Sequence, residues 1–180
     1  MLNSQQKQEI LKIAREAIAL YLDKKEALKL EPDDPELKKP KGVFVTLYKG
    51  SRLRGCIGNI IAAKPLYLEV IEMAIAAATE DPRFSPLKKA ELDEARLEVS
   101  VLSPLKKVNN IDEVILGTHG VLVKAGPRSG VYLPQVATET GWSKEEFMNS
   151  LCAHKAGLEP DAWKKKTCQI YVFTACVFGE

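Results

Sequence analysis

Cys56 stands between two glycines in the run Arg52-Leu53-Arg54-Gly55-Cys56-Ile57-Gly58-Asn59. A thiol in that setting can act as a nucleophile or as a point of covalent attachment. Arg54 and nearby backbone N–H groups would favour its thiolate form. Glycine permits close approach or a backbone at positive φ, so Gly55 and Gly58 suit a strand end bent around a ligand, with Ile57 beside it. The other reading is a small buried thiol that fills space. His119, one of two histidines, precedes a β-rich segment and could exchange a proton with the thiol. It could equally cap a turn. Glu98 could orient His119 or serve as an acid/base group whose pKa is raised by burial, or it could simply face solvent. Arg54 and Arg83 have the fork geometry to hold a carboxylate or phosphate; Asp81 and Glu98 are available to pair with them instead. Gln135 could hydrogen-bond a ligand. The catalytic candidates are therefore Cys56, His119 and Glu98. The substrate-binding candidates are Arg54, Gly55, Ile57, Gly58, Arg83 and Gln135.

The elements that must position these residues follow from periodicity. Ile10, Ala14, Ala17, Ile18 and Tyr21 recur at helical spacing, which predicts a helix over residues 4–23 with Ser4 as its N-cap. Residues 24–41 are charged and hold three prolines, which reads as a loop. Residues 42–48 form a strand by composition, and Lys49-Gly50 returns it into 51–57 as a hairpin. A helix begins at Pro65, runs to about Thr79, and stops at Asp81-Pro82. Residues 87–93 hold one helical turn. Leu97, Val99 and Val101 alternate with polar residues as a half-buried strand that ends at Pro104. Residues 111–116 are short and helical. Strands at 120–124 and 130–133 are joined across Gly126-Pro127-Arg128-Ser129. Residues 134–140 make one helical turn and a loop. Ser143 and Glu146 have capping-box spacing, and Gly157 fits that helix's end. A short helix covers 161–163, and residues 169–178 read as one central strand. Trp142 and Trp163 are packing anchors. Hairpins imply antiparallel pairing, so the class is α+β.

Composition narrows the function. The 180 residues suffice for one domain, here 1–180. They are 46% hydrophobic and 28% charged, with a formal net charge of +2. That balance argues against a nucleic-acid or membrane-surface protein. No run approaches the roughly 18 apolar residues of a membrane span, and the polar N-terminus does not resemble a signal core. These features point to the cytosol. Cys56, Cys152, Cys168 and Cys176 include no Cys-x-x-Cys, which argues against structural zinc. Two histidines without a cysteine cluster argue against a bound transition metal. Gly55-Cys56-Ile57-Gly58 lacks the dinucleotide and P-loop patterns, and no cofactor is expected.

Leu53-Arg54-Gly55-Cys56-Ile57-Gly58 resembles the LRGCIG signature of the AMMECR domain family, called AmmeMemoRadiSam system protein A in prokaryotes. Asp81-Pro82-Arg83-Phe84-Ser85-Pro86-Leu87 resembles a second block, and Leu97-Glu98-Val99-Ser100-Val101-Leu102 a third. Gly117-Thr118-His119-Gly120-Val121, Tyr132-Leu133-Pro134-Gln135-Val136-Ala137 and Gly141-Trp142 follow in the family's order. The resemblance covers roughly residues 5–178. It implies an antiparallel sheet flanked by helices, and a larger and a smaller subdomain around a cleft that holds the signature cysteine. It also names expected associates, a Memo-like protein and a radical SAM enzyme. Two functions follow as expectations. One is an enzyme that uses Cys56 for thiol-mediated group transfer on an unidentified small molecule. The other is a non-catalytic module that binds a ligand or those partners.

Overall fold

The computed structural model describes residues 2–61 and 63–180. It divides into two compact units: Met1–Leu102 with Cys176–Glu180, and Ser103–Ala175. Each has its own sheet and its own apolar core.

The first unit begins with α1 (Ser4–Lys24), which buries Ile10, Ile13, Ala14, Ala17 and Ile18. This stripe is the one its spacing predicts. Burial of such aliphatic side chains contributes about 1.5–3 kcal/mol each for the larger ones. The N-cap is Asn3 and not Ser4: Asn3 accepts from the Gln6 N–H, and the Gln6 side chain accepts from the Asn3 N–H. Ser4 becomes the first helical residue because the amide side chain one position earlier completes a reciprocal box. Strands β1 (Val43–Lys49) and β2 (Arg52–Asn59) form the expected hairpin. Helix α2 (Leu66–Thr79) follows, then the single turn α3 (Lys89–Leu92), and then β3 (Ala95–Leu102). β3 pairs antiparallel with β1. β1 carries Val43, Val45 and Leu47 on the helix-facing side, all fully buried, and β3 adds Leu97, Val99 and Val101. The opposite face carries Phe44, Thr46, Tyr48, Glu98 and Ser100, as the period of two requires.

The second unit contains β4 (Lys106–Val108), β5 (Gly120–Ala125), β6 (Arg128–Tyr132) and β7 (Gln169–Phe173), in the order β4-β7-β5-β6. Its pairings are antiparallel. Helices α4 (Pro134–Thr140) and α5 (Lys144–Ser150) add to this unit, and Phe147, Met148, Leu151 and Cys152 fill its core. The Ser143–Glu146 capping box forms as read. Past α5 the chain widens into a π-turn over Leu151–Lys155, where the Ala156 N–H reaches back to the Leu151 carbonyl.

Several readings change. Residues 169–178 are two strands. At Thr174 the backbone N–H donates to the Ser103 hydroxyl and the carbonyl accepts from the Ser103 N–H. β7 ends there, and β8 (Ala175–Gly179) joins the other sheet beside β3. An unbroken apolar composition carries no sign of that transfer. β4 follows Pro104 with too few residues for a periodic signal. The turn of the second hairpin is Gly126-Pro127 alone, since Arg128 and Ser129 already pair with Ala125 and Lys124.

Gly55 and Gly58 lie inside β2 and not at positive φ. Their value is proximity. A Cβ on Gly55 would stand 2.1 Å from the Ala77 carbonyl oxygen of α2, and one on Gly58 would stand 2.3 Å from the Phe44 ring. The missing side chain of Gly55 lets α2 seat against β2. Gly50, by contrast, has φ +59 in the hairpin turn and nothing within 4 Å of its Cβ position. We expect Gly55→Ala to cost about 3 kcal/mol, at the upper end for overpacking, and Gly50→Ala about 1 kcal/mol. Denaturant unfolding of the two variants measures both values.

Candidate functional site

The signature cysteine lies in mid-strand. β2 is the edge of the first unit's sheet, so the outward N–H and C=O groups of such a strand need partners from outside the ladder. At Cys56 a loop after α2 supplies them. The Cys56 N–H donates to Asp81 Oδ2 at 2.8 Å, and Arg83 Nη2 approaches the Cys56 carbonyl at 3.4 Å. Asp81 is 4% exposed. It also accepts from the Arg83 backbone N–H at 3.1 Å, from Nε at 2.9 Å and from Nη2 at 2.7 Å. The Arg83 pair, ahead of the two backbone donors, holds the Asp81 carboxyl well below its ordinary 3.8 despite the opposing effect of burial. Arg83 is thus one of the pairs that the sequence leaves open, with Asp81 as its partner.

Across the sheet, Cys56 faces Thr46 on β1, and Thr46 faces Glu98 on β3. These three share one transverse row on the face away from the helices. The Thr46 hydroxyl donates to Cys56 Sγ at 3.2 Å. Glu98 is half-buried and accepts from the Tyr48 hydroxyl at 3.4 Å. The Arg96 guanidinium covers the Tyr48 ring at 4.7 Å. Burial first, then the charge of Glu98 and its hydrogen bond, raise the pKa of Tyr48, and Arg96 opposes them. By interstrand spacing Glu98 lies about 10 Å from Cys56. It meets the thiol only through what sits between them.

The remaining candidates separate. Adjacent strand residues point to opposite faces. Gly55 and Ile57 are therefore on the helix side, where Gly55 is buried against α2 and Ile57 packs on the core. Neither shares a face with Cys56. Gly58 does, but the Phe44 ring fills the space its side chain would take. The Arg54 guanidinium is engaged by groups of the protein itself. The β1–β2 register shifts between Leu47 and Tyr48, which leaves Arg54 as an extra residue in a bulge. Its guanidinium is taken up by Glu91, at 3.3 Å from both Nε and Nη2, and by the Ser85 carbonyl at 2.9 Å. His119 and Gln135 belong to the second unit. His119 closes a turn: Nδ1 accepts from the Ile115 N–H at 3.1 Å, and its own N–H donates to the Ile115 carbonyl. Nδ1 as acceptor leaves the ring proton on Nε2. Gln135 is exposed near the start of α4.

Thr46, Tyr48 and Asp81 were not among the expected site residues. The alternation Val43-Phe44-Val45-Thr46-Leu47-Tyr48 carries a signal for the first two, since it sets Thr46 and Tyr48 on the less apolar face. Asp81 reads in sequence as a helix stop and as an available partner for an arginine, with no sign that it reaches the Cys56 backbone. Among the described residues no group of three or more His, Cys, Asp or Glu side chains could hold a metal ion, and no helix is long and apolar enough to cross a membrane.

The profile of the AMMECR1 family matches residues 11–178. The chain belongs to the AMMECR1 family. A protein of Methanopyrus kandleri is 45% identical over 180 residues, covering 95% of this chain and 86% of its own. A protein of Methanothermobacter thermautotrophicus is 45% identical over 178 residues, covering 95% and 92%. The crystal structure of an uncharacterized protein from Pyrococcus horikoshii superposes with a TM-score of 0.90 at 38% identity, over 99% of this chain and 93% of that one. In this AMMECR1 chain the signature is an edge strand whose cysteine is held by a buried carboxylate.

Two outcomes check this geometry. Asp81→Ala leaves the Cys56 N–H and Arg83 without their partner and should destabilise the fold by about 2–3 kcal/mol. The folded-state pKa of Asp81 is depressed, so its contribution is present above its unfolded value near 3.8. It is lost as pH falls below that toward the folded value. Acid titration of stability should therefore be flatter below pH 4 in Asp81→Asn than in the wild type. The cysteines should also separate under alkylation of the native protein. Burial pushes the Cys152 thiol up to about 11 and raises Cys168 as well. Peptide mass spectrometry should find the buried Cys152 unmodified until unfolding, and the partly exposed Cys168 modified more slowly than the partly exposed Cys56.

Proposed function

We propose that this AMMECR1 protein carries out thiol-mediated group transfer at Cys56. The observation that supports it is the row Cys56–Thr46–Glu98 on one sheet face, with a hydroxyl donating to the sulfur. The thiol sits in a strand whose backbone is clamped on both sides of the residue, and such preorganisation is what a nucleophile requires. Cys56 Sγ attacks the acyl carbon of a donor while its proton passes through a bridging water to the Glu98 carboxylate. Glu98, held by Tyr48, delivers that proton to the leaving group as its bond to the acyl carbon breaks. The same carboxylate then takes a proton from the attacking acceptor and returns it through the water to sulfur as the acyl–sulfur bond breaks and the thiol re-forms. The spacing between Cys56 and Glu98 leaves room for a small acyl group or a water. Asp81 and Arg83 act as positioning residues.

The saturated guanidinium of Arg54 favours a second reading, because it leaves no anion grip beside the thiol on that side. In that reading Cys56 borders or presents a ligand for a partner, and the Memo-like protein and radical SAM enzyme are the associates to test.

Incubation with an acetyl thioester, followed by peptide mass spectrometry, tests the first reading. The expected result is an acetyl group on Cys56, lost in Cys56→Ser, a variant that should melt as the wild type does. Turnover to an added thiol acceptor should fall about a hundredfold in Glu98→Gln. Absence of the adduct, or equal labelling of Cys176, would overturn it. If Cys56→Ser instead weakens capture of the Memo-like protein with no adduct formed, the second reading holds.

A further inference from the structure

Lys164-Lys165-Lys166 lies in the segment that leads into β7. The Lys165 N–H donates to the Ala162 carbonyl and the Cys168 N–H to the Lys165 carbonyl, both at 3.0 Å. Two successive turns therefore fix the backbone of this basic run. β7 pairs antiparallel with β4, Val108 opposite Ile170, which brings Lys107 and Asn109 alongside the same segment. A cavity of about 320 Å³ opens there. Lys107, Lys164, Lys165 and Lys166 line it with Asn109 and Trp163, and no carboxylate is among its lining residues.

A concave surface lined by one sign of charge concentrates the opposite ion. Lys164 is paired with Glu145 at 2.6 Å, and Lys165 stands 3.6 Å from Asp161. Both pairs are exposed and readily exchanged for another anion. Among the described residues Lys107 and Lys166 have no carboxylate partner. The Asn109 backbone N–H goes to Glu113, and its side-chain amide makes no hydrogen bond among the described residues. The lining holds lysines and no arginine. Ammonium groups are point charges that suit the dense charge of a phosphate, whereas a planar carboxylate is better matched by a guanidinium fork. The volume is at the low end of small-molecule sites. It fits a phosphate or diphosphate group on a small body, and not a nucleic-acid strand, which calls for an extended basic stripe.

We propose that this cavity binds a small molecule through its phosphate or diphosphate group. Lys107 and Lys166 supply the two uncommitted charges, and Asn109 donates from its amide. Lys164 and Lys165 turn to the anion from their exposed carboxylates. The site lies within the second unit and does not depend on the thiol chemistry assigned to Cys56.

Amide NMR of the full chain at fixed ionic strength, titrated in parallel with inorganic pyrophosphate, citrate and a short oligothymidylate, tests it. Pyrophosphate should give saturable shifts at Lys107, Asn109, residues 164–168 and the Trp163 indole N–H. Lys107→Ala combined with Lys166→Ala should weaken it at least about tenfold. Lys29→Ala combined with Lys106→Ala removes the same charge at positions that do not line the cavity, and should leave binding unchanged. All four lysines are exposed, so both variants should melt as the wild type does. The proposal is overturned if pyrophosphate gives no saturable shift, or if citrate binds as tightly. Equal loss in the two double variants also overturns it, since that is the mark of diffuse surface charge. Tighter binding of oligothymidylate than of pyrophosphate at these residues overturns it as well, in favour of a nucleic-acid surface.

Discussion

The carboxylate of Asp81 is the contact on which the signature strand depends. An edge strand has a row of backbone groups with no neighbour, and at Cys56 those groups are met by a side chain from the loop after α2. The same carboxylate is neutralised by Arg83, which in turn approaches the Cys56 carbonyl. One buried charge therefore ties the end of α2, its following loop and the middle of β2 into a single unit. A buried carboxylate is tolerated because four donors converge on it.

Gly55 serves the same arrangement from the other side. With no Cβ it lets the Ala77 carbonyl of α2 approach the strand directly. α2 is then close enough for the loop that leaves it to reach Cys56. The two glycines of the signature are thus packing devices, one against a helix and one against the Phe44 ring. The cysteine between them is the residue whose side chain turns to the opposite face from the helices. That alternation divides the strand's chemistry: thiol, hydroxyl and carboxylate on one side, and the apolar core under α2 on the other.

Arg54 shows how a local irregularity redirects function. In a regular ladder it would lie on one of the two faces of the sheet. The bulge makes it an extra residue, and its guanidinium closes on Glu91 and a backbone carbonyl instead. It braces α3 and the Ser85 loop against the hairpin. Arg83 is similarly engaged, through Asp81. Two arginines that read as ligand grips each meet a carboxylate of the chain, Glu91 for Arg54 and Asp81 for Arg83.

Sequence alone settled the α+β class, the α1 stripe, both hairpins, the Ser143–Glu146 cap and the family's signature blocks. Each of these rests on contacts between residues near in the chain or on a fixed period, and such signals survive in one dimension. It marked Cys56 and Glu98, but it could not pair them through Thr46, because strand register is a relation between distant segments. Tertiary structure alone decided that Gly55 and Ile57 face the helices, that Asp81 holds Cys56, and that His119 closes a turn onto Ile115. It also decided that residues 169–178 divide at Thr174 between two sheets. The reason is common to all of these: the deciding partner lies elsewhere in the fold or hangs on a single backbone hydrogen bond, and neither leaves a periodic trace in the chain.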